Sequence, residues 1–422
     1  MRLLAVVSPV VIAALVFLLV FTLDLETFNN SSCVPSENDP DCPDKYFATT
    51  YFEARKRFRI AAAKLNAKTD SAVAWTDPNT DLEYTIDFAF VEGTGKAKES
   101  IMIVVSGTHG VEGYAGSAIQ LKLMETLNTY RHNTSAYPGG VPSLALVHAV
   151  NPTGMALNRR FNHNNVDLNR NWLTPEGWEE VRSWDPDATL YITVGYLLNP
   201  KFLPTYTNFL LHLGRYVIGL LQYGLTTLKR ATVSGTYRDP TGIFYGGNGT
   251  SEINVEIVKK FLKPYGAYKN RVMLDLHTGL GIPGVGILLT ENQQYRQNGW
   301  KIFGSDREID CATCGAYGAT ASGYEKVRGA MIQYHGNDMF PTEPLGHYII
   351  EFGTVITSCV GAAVVMENAA YIIVPNTDLH ARYGRWVRYV FNLPSLTWKR
   401  SVIRNGVETI EQAMRYQSAH VE

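Results

Sequence analysis

Ile101-Met-Ile-Val-Val105, running straight into Ser106-Gly-Thr-His109-Gly-Val-Glu112, is the stretch from which the rest of the chain can be read. Five successive apolar residues, four of them β-branched, predict a strand central in its sheet. The turn that follows holds a His-x-x-Glu, and Ala115–Thr129 then reads as a helix. Working outward, Phe52, Ala54, Phe58, Ile60, Ala63 and Leu65 predict an amphipathic helix over Tyr46–Asn66. Tyr84–Val91, Ala145–Val150, Val272–Leu276 and Tyr348–Phe352 read as strands, with a further one at Ala370–Val374. Strands alternating with helices predict an α/β fold, its central mixed and mostly parallel sheet flanked by helices. There is no internal repeat.

The 422 residues are 45% hydrophobic and 18% charged, which supplies a large core and excludes disordered, collagenous and coiled-coil chains. Lys plus Arg number 38 against 39 Asp plus Glu, so no strong field exists to hold a nucleic-acid backbone, and no nucleic-acid partner is expected.

Leu3–Leu23 carries no charge and is bounded by Arg2 and Asp24. As a helix it is about 31 Å long, close to the hydrocarbon thickness of a bilayer. With no Ala-x-Ala-like exit before Asp24, residues 1–23 read as an N-terminal hydrophobic helix that anchors the chain, in preference to a removed signal peptide. Either reading places the catalytic part in the secretory pathway, membrane-anchored or secreted. Residues 24–44 read as a linker and 45–422 as a single catalytic domain. A segment at about 174–236 breaks the strand–helix rhythm. Its stretch Phe209–Leu228 is leucine-rich, but Gly214, Gly219, Gly224 and Arg215 favour a helical insertion packed on the main sheet over a second membrane span. It is placed to wall the active site.

Cys33 and Cys42 can close a small loop in an oxidising lumen, and Cys311-x-x-Cys314 reads as a local disulfide in preference to half a zinc knuckle. Cys359 reads as a buried thiol. Sequons at Asn29, Asn30, Asn133 and Asn248 are compatible with an exported glycoprotein.

Four blocks at or just past strand ends carry the chemistry, and strand ends are where open α/β sheets bind ligands. His109-x-x-Glu112 can bring an imidazole and a carboxylate to one cation, and His277, closing the strand in Leu274-Asp275-Leu-His277, can supply a third ligand. Glu351, after Tyr348-Ile-Ile, is a carboxylate set in apolar surroundings, where its cost invites a use as general base. The fourth block comprises Asn151-Pro-Thr-Gly154, Arg159-Arg160 and Val166-Asp167-Leu-Asn169-Arg170-Asn171-Trp172. A guanidinium beside an amide can clamp a carboxylate, and a second arginine can steady an oxyanion. Each residue alone has an ordinary explanation: turn polars, a core histidine, a paired glutamate, a surface ion pair.

Taken in order, these blocks resemble the zinc metallocarboxypeptidases of the carboxypeptidase A type and the related aspartoacylase and succinylglutamate desuccinylase deacylases. The resemblance spans His109 to Glu351, with long unmatched stretches, and the insertion after Trp172 departs from the digestive enzymes. It implies that His109, Glu112 and His277 hold one zinc ion, that Asn169 and Arg170 bind a substrate carboxylate, and that Glu351 is the general base. It also implies that Asp167 orients His109, and that the oxyanion arginine is Arg160, preferred to Arg159 by its spacing after Asn151. The expected substrate is a peptide losing its C-terminal amino acid, or alternatively an N-acyl amino acid. A catalytically silent, membrane-tethered binding protein is the reading from another class, and the complete residue set argues against it.

Overall fold

The computed structural model describes residues 32–34, 39, 42–311, 314, 327–334 and 339–421. Leu3–Leu23 and most of the linker lie outside them. Among the described residues one sheet is formed by β1 (Lys68–Thr76), β2 (Glu83–Val91), β3 (Ser100–Ser106), β4 (Ser143–His148), β5 (Lys269–Pro283), β6 (Gly286–Thr290), β7 (Ile309–Cys311) and β8 (Gly346–Gly353). The spatial order is β1-β2-β4-β3-β5-β8-β6-β7. The middle strands β4, β3, β5 and β8 are mutually parallel, while β1, β2 and β6 join antiparallel. The mixed sheet with a parallel centre is as expected.

Every residue of β3 is buried, because both its faces are covered. Met102 and Val104 point to one side, where the helices Tyr51–Lys64, Gly113–His132, Gln293–Phe303 and Leu396–Ala419 pack. Ile101, Ile103 and Val105 point to the other, under the helix Ile253–Leu262. The period-2 alternation of a strand is thus used in full.

The first helix starts at Tyr51, not Tyr46, because Thr50 caps it: its side chain accepts from the Glu53 amide, while Glu53 accepts from Thr49 N at 2.7 Å. Ala370–Val374 is not a strand. It ends the helix Thr357–Ile373, whose apolar residues face almost every direction and so leave no period to read. The linker's end is tied down by the Cys33–Cys42 disulfide and by an Asp44–Lys399 ion pair of 2.7 Å. Cys311–Cys314 is a disulfide and Cys359 a buried thiol.

The insertion is helical, comprising Pro175–Ser183, Gly195–Leu198, Tyr206–Tyr223 and Leu225–Ser234. It does not pack on the sheet as expected. Phe209, Leu228 and Leu197 share a core with Val364 and Met366 of the Thr357–Ile373 helix and with Trp386 of the helix Asp378–Phe391. Those two helices have an apolar side left over from the sheet, and the insertion covers it. Among the described residues no helix is long and apolar enough to cross a membrane.

Candidate metal centre

β3 has β4 on one side and β5 on the other, so the chain crosses over at this point and a crevice opens at the strand ends. His109 follows β3, and His277 lies in β5. The His109–Glu112 turn is pinned to the arginine pair: Gly110 N donates to Arg160 O at 3.1 Å and Val111 N to Arg159 O at 2.8 Å. Asn151 caps its own helix through Gly154 N at 2.9 Å and donates to the same Arg160 carbonyl at 3.1 Å. Gly110 permits this closeness, since a Cβ there would sit 2.2 Å from the Gly154 backbone.

The three expected ligands converge. His109 Nδ1 lies 2.9 Å from Glu112 Oε1, His277 Nδ1 lies 3.1 Å from Glu112 Oε2, and the two Nδ1 atoms are 3.1 Å apart. The other nitrogen of each ring faces a buried carboxylate. His277 Nε2 is 2.7 Å from Asp275 Oδ2, and His109 Nε2 is 3.2 Å from Asp167 Oδ1, though out of line with the ring N–H. A neutral His277 that donates to Asp275 turns its Nδ1 lone pair towards His109 and Glu112. Four acceptor atoms on three side chains, joined by contacts of 2.9–3.1 Å, repel unless a cation or a proton sits among them. A tetrahedral ion with bonds of about 2.0–2.1 Å asks for nearly this spacing, and two imidazoles with one carboxylate are a donor set of hydrolytic zinc sites. The residues fit the ion.

Electrostatics agree. Burial alone would raise the Glu112 carboxyl, but His109 and His277 outweigh it and hold the group below the usual carboxylate range. Burial would lower His277, but Asp275 and Glu112 outweigh that and hold the ring well above its ordinary value.

Glu351 is the register partner of His277 across β5 and β8. Its Oε1 accepts from Leu280 N at 2.9 Å. Burial, then the neighbouring Glu112 charge, pushes its carboxyl up to about 7. Gly279, at φ +145°, makes room: a Cβ there would press Phe391 at 3.1 Å and Glu351 Oε1 at 3.3 Å.

A family model described as "Protein of unknown function (DUF2817)" matches residues 47–405. The chain belongs to that family. No curated protein matches it. Among solved structures, bovine thrombin-activatable fibrinolysis inhibitor, in complex with tick carboxypeptidase inhibitor, is 11% identical. That match covers 89% of this chain and 98% of the other, with a TM-score of 0.45. A Shewanella frigidimarina protein assigned as a succinylglutamate desuccinylase/aspartoacylase is 16% identical over 72% of this chain and 71% of its own, at TM-score 0.34. A Pseudomonas aeruginosa metallo-carboxypeptidase is 12% identical over 76% and 68%, at TM-score 0.34. Overlaps this loose decide neither reaction nor substrate.

In this DUF2817 chain the arginine pair splits. Arg160 turns into the site, with Nε 3.1 Å from Asp167 Oδ2, Nη1 3.4 Å from Glu112 Oε1 and 12% of its side chain still exposed. Arg159 turns the other way and is fully buried. It pairs with Glu367 at 2.6 Å, donates to Asn165 Oδ1 at 2.8 Å and lies against the Tyr371 ring. Of the pair, Arg160 is the one whose guanidinium lies beside Glu112 and Asp167.

Asp167, Asn169 and Arg170 share one short turn beside them. Asp167 is raised by burial but lowered further by Arg160, His109 and Arg170, so it stays ionised. Asn169 Oδ1 accepts from Met331 N at 3.0 Å. Arg170 donates twice to Val233 O, at 2.6 and 3.2 Å, and once to its own neighbour's carbonyl, Asn169 O, at 2.8 Å. Val233 belongs to the insertion, which thus borders the site. Phe244 lies under both guanidinium groups, 4.7 Å from that of Arg160 and 5.7 Å from that of Arg170.

Two participants were not predicted. Asp275, held by Thr108 Oγ1 at 2.9 Å, lies behind His277 Nε2 as Asp167 lies behind His109 Nε2. Its signal was present, since a residue two positions from His277 on a strand shares its face. Phe244 gave none. His148 is not a ligand: it stacks on Phe58, meets Ser117 Oγ at 3.0 Å, and burial lowers it to about 4. His163 stacks on Trp75, and His335 lies outside the described residues.

Proposed function

We propose that this protein is a zinc-dependent hydrolase of amide bonds next to a free carboxylate, in the first instance a carboxypeptidase that releases C-terminal amino acids. One observation carries the reading: two imidazole Nδ1 atoms and a carboxylate converge within 3.1 Å, with a second buried carboxylate, Glu351, at the adjoining ladder position. His109, Glu112 and His277 would hold the ion. When bound, zinc supplies a Lewis acid and makes water acidic enough to react near neutral pH.

The chain's own groups do the rest. Glu351 accepts a proton from the attacking water and passes it to the leaving amine nitrogen, a transfer suited to a carboxyl whose pKa lies near neutrality. Arg160 steadies the negative charge that develops on the carbonyl oxygen. Asp167 and Asp275 fix the orientation of the ligand imidazoles. Arg170, with Asn169, holds the substrate carboxylate, a guanidinium beside an amide being suited to clamp it.

The same groups would cleave an N-acyl amino acid, so the experiment measures both. Zinc-loaded protein is given N-blocked dipeptides with a free C-terminus and, separately, N-acetyl and N-succinyl amino acids. Release of the C-terminal residue from the dipeptides supports the carboxypeptidase reading, and turnover of the acyl amino acids alone makes it a deacylase. A wild type that binds zinc yet is as inert as Glu351→Gln on both panels refutes hydrolysis.

A further inference from the structure

The insertion shows a second surface, on the side away from its core. The Tyr206–Tyr223 helix buries Phe209, His212 and Gly219, with Phe209 edge-on to Trp386 and Gly219 closed against Leu197. At 100° per residue the opposite arc centres on Leu211, Gly214, Ile218 and Leu221. Those apolar side chains face outward: Leu211 is 61% exposed, Ile218 62% and Leu221 64%, and Leu225, just past the break at Gly224, is 67% exposed. A single exposed leucine needs no explanation, but a row of them on one helix does.

Charge says what covers it. From Ala188 to Arg238 the sequence has no aspartate or glutamate, whereas Lys201, Arg215, Lys229, Arg230 and Arg238 are basic, in a chain whose totals are balanced. Arg215 is exposed on the flank of that arc, next to Leu211 and Ile218 around the helix. A second copy of the chain would bring like charges together across a shared apolar face. A layer of anionic lipid headgroups presents opposite charge to the basic residues and hydrocarbon to the leucines.

We infer that the Tyr206–Tyr223 helix and the start of the Leu225–Ser234 helix form a docking surface for an anionic bilayer. The helix lies in the interface, with Leu211, Ile218, Leu221 and Leu225 below the headgroups and the basic residues among them. This goes beyond the proposed hydrolysis and does not depend on it. The uncharged Leu3–Leu23 stretch would hold the full chain at a bilayer by itself, so the test reads the helix locally.

The full-length protein is labelled with an environment-sensitive fluorophore at Ile218→Cys and, separately, at Arg404→Cys, an exposed position on the Leu396–Ala419 helix. The native cysteines are disulfide-bonded or buried. With vesicles of phosphatidylcholine and phosphatidylserine, the label at 218 should brighten several-fold and shift to the blue while the label at 404 does not change. High salt, or Leu211→Ser with Leu221→Ser, should reverse the change at 218. No change at 218, equal changes at 218 and 404, or the same change on phosphatidylcholine alone would overturn the inference. A change at 218 that follows protein concentration without vesicles would also overturn it, and would assign the surface to a second copy.

Discussion

Glu351 and His277 occupy one rung of the sheet, paired across the parallel strands β5 and β8. The proposed ligand and the proposed proton acceptor thus both sit on paired strands, and neither depends on a loop for its position. This is the arrangement expected where fractions of an ångström matter to catalysis.

Replacing Glu351 with Gln keeps the shape and removes the proton acceptor. Turnover should fall by about 10²–10⁴-fold while bound metal stays at wild-type level, measured as kcat alongside metal content. The pH profile gives the sign. A carboxyl raised to about 7 is protonated, and idle as a base, below that pH. A bound cation pulls it lower, so kcat/KM of the wild type should rise with pH through an acid limb at or below about 7, and the residual activity of Glu351→Gln should lack that limb.

Asp275→Asn should weaken zinc binding by about 10–100-fold with little change in fold, because the amide no longer fixes which His277 nitrogen carries the proton. Competition against a chelating dye reads the affinity, and circular dichroism the fold. Unchanged affinity would remove Asp275 from the site.

The adjacent arginines should separate cleanly. Arg160→Ala takes away the donor proposed to steady the carbonyl oxygen, so kcat of the folded protein should drop by about 10²–10³-fold, over and above the Tm lost with its Asp167 pair. Arg159→Ala leaves Glu367 buried with only His380 beside it, at 3.0 Å, and should cost about 3–5 kcal/mol, read in denaturant unfolding. The reverse pattern would exchange their roles.

How much of this was legible depended on how much of each signal is local. The centre of the sheet was, because β3, β5 and β8 are apolar runs ending abruptly in the polar residues that matter. β1 was missed because it is an exposed edge strand, polar at Lys68, Asp70 and Ser71, and held by its pairing with β2. Ala370–Val374 misled because a helix with apolar residues all round has no readable period. For the arginine pair, spacing after Asn151 supported a preference for Arg160 but not the direction in which either side chain turns. The insertion's helices were legible, but their seat was not, because it is made by Trp386 and Val364, far along the chain.

The most direct measurement is metal analysis joined to X-ray absorption on the purified protein. One zinc per chain is predicted, with nitrogen or oxygen neighbours at about 2.0–2.1 Å and an imidazole signature, and the metal is lost in both His109→Ala and His277→Ala. A protein that hydrolyses its substrate without bound metal, or a coordination shell left intact by both replacements, would contradict the convergence of these three side chains on one ion.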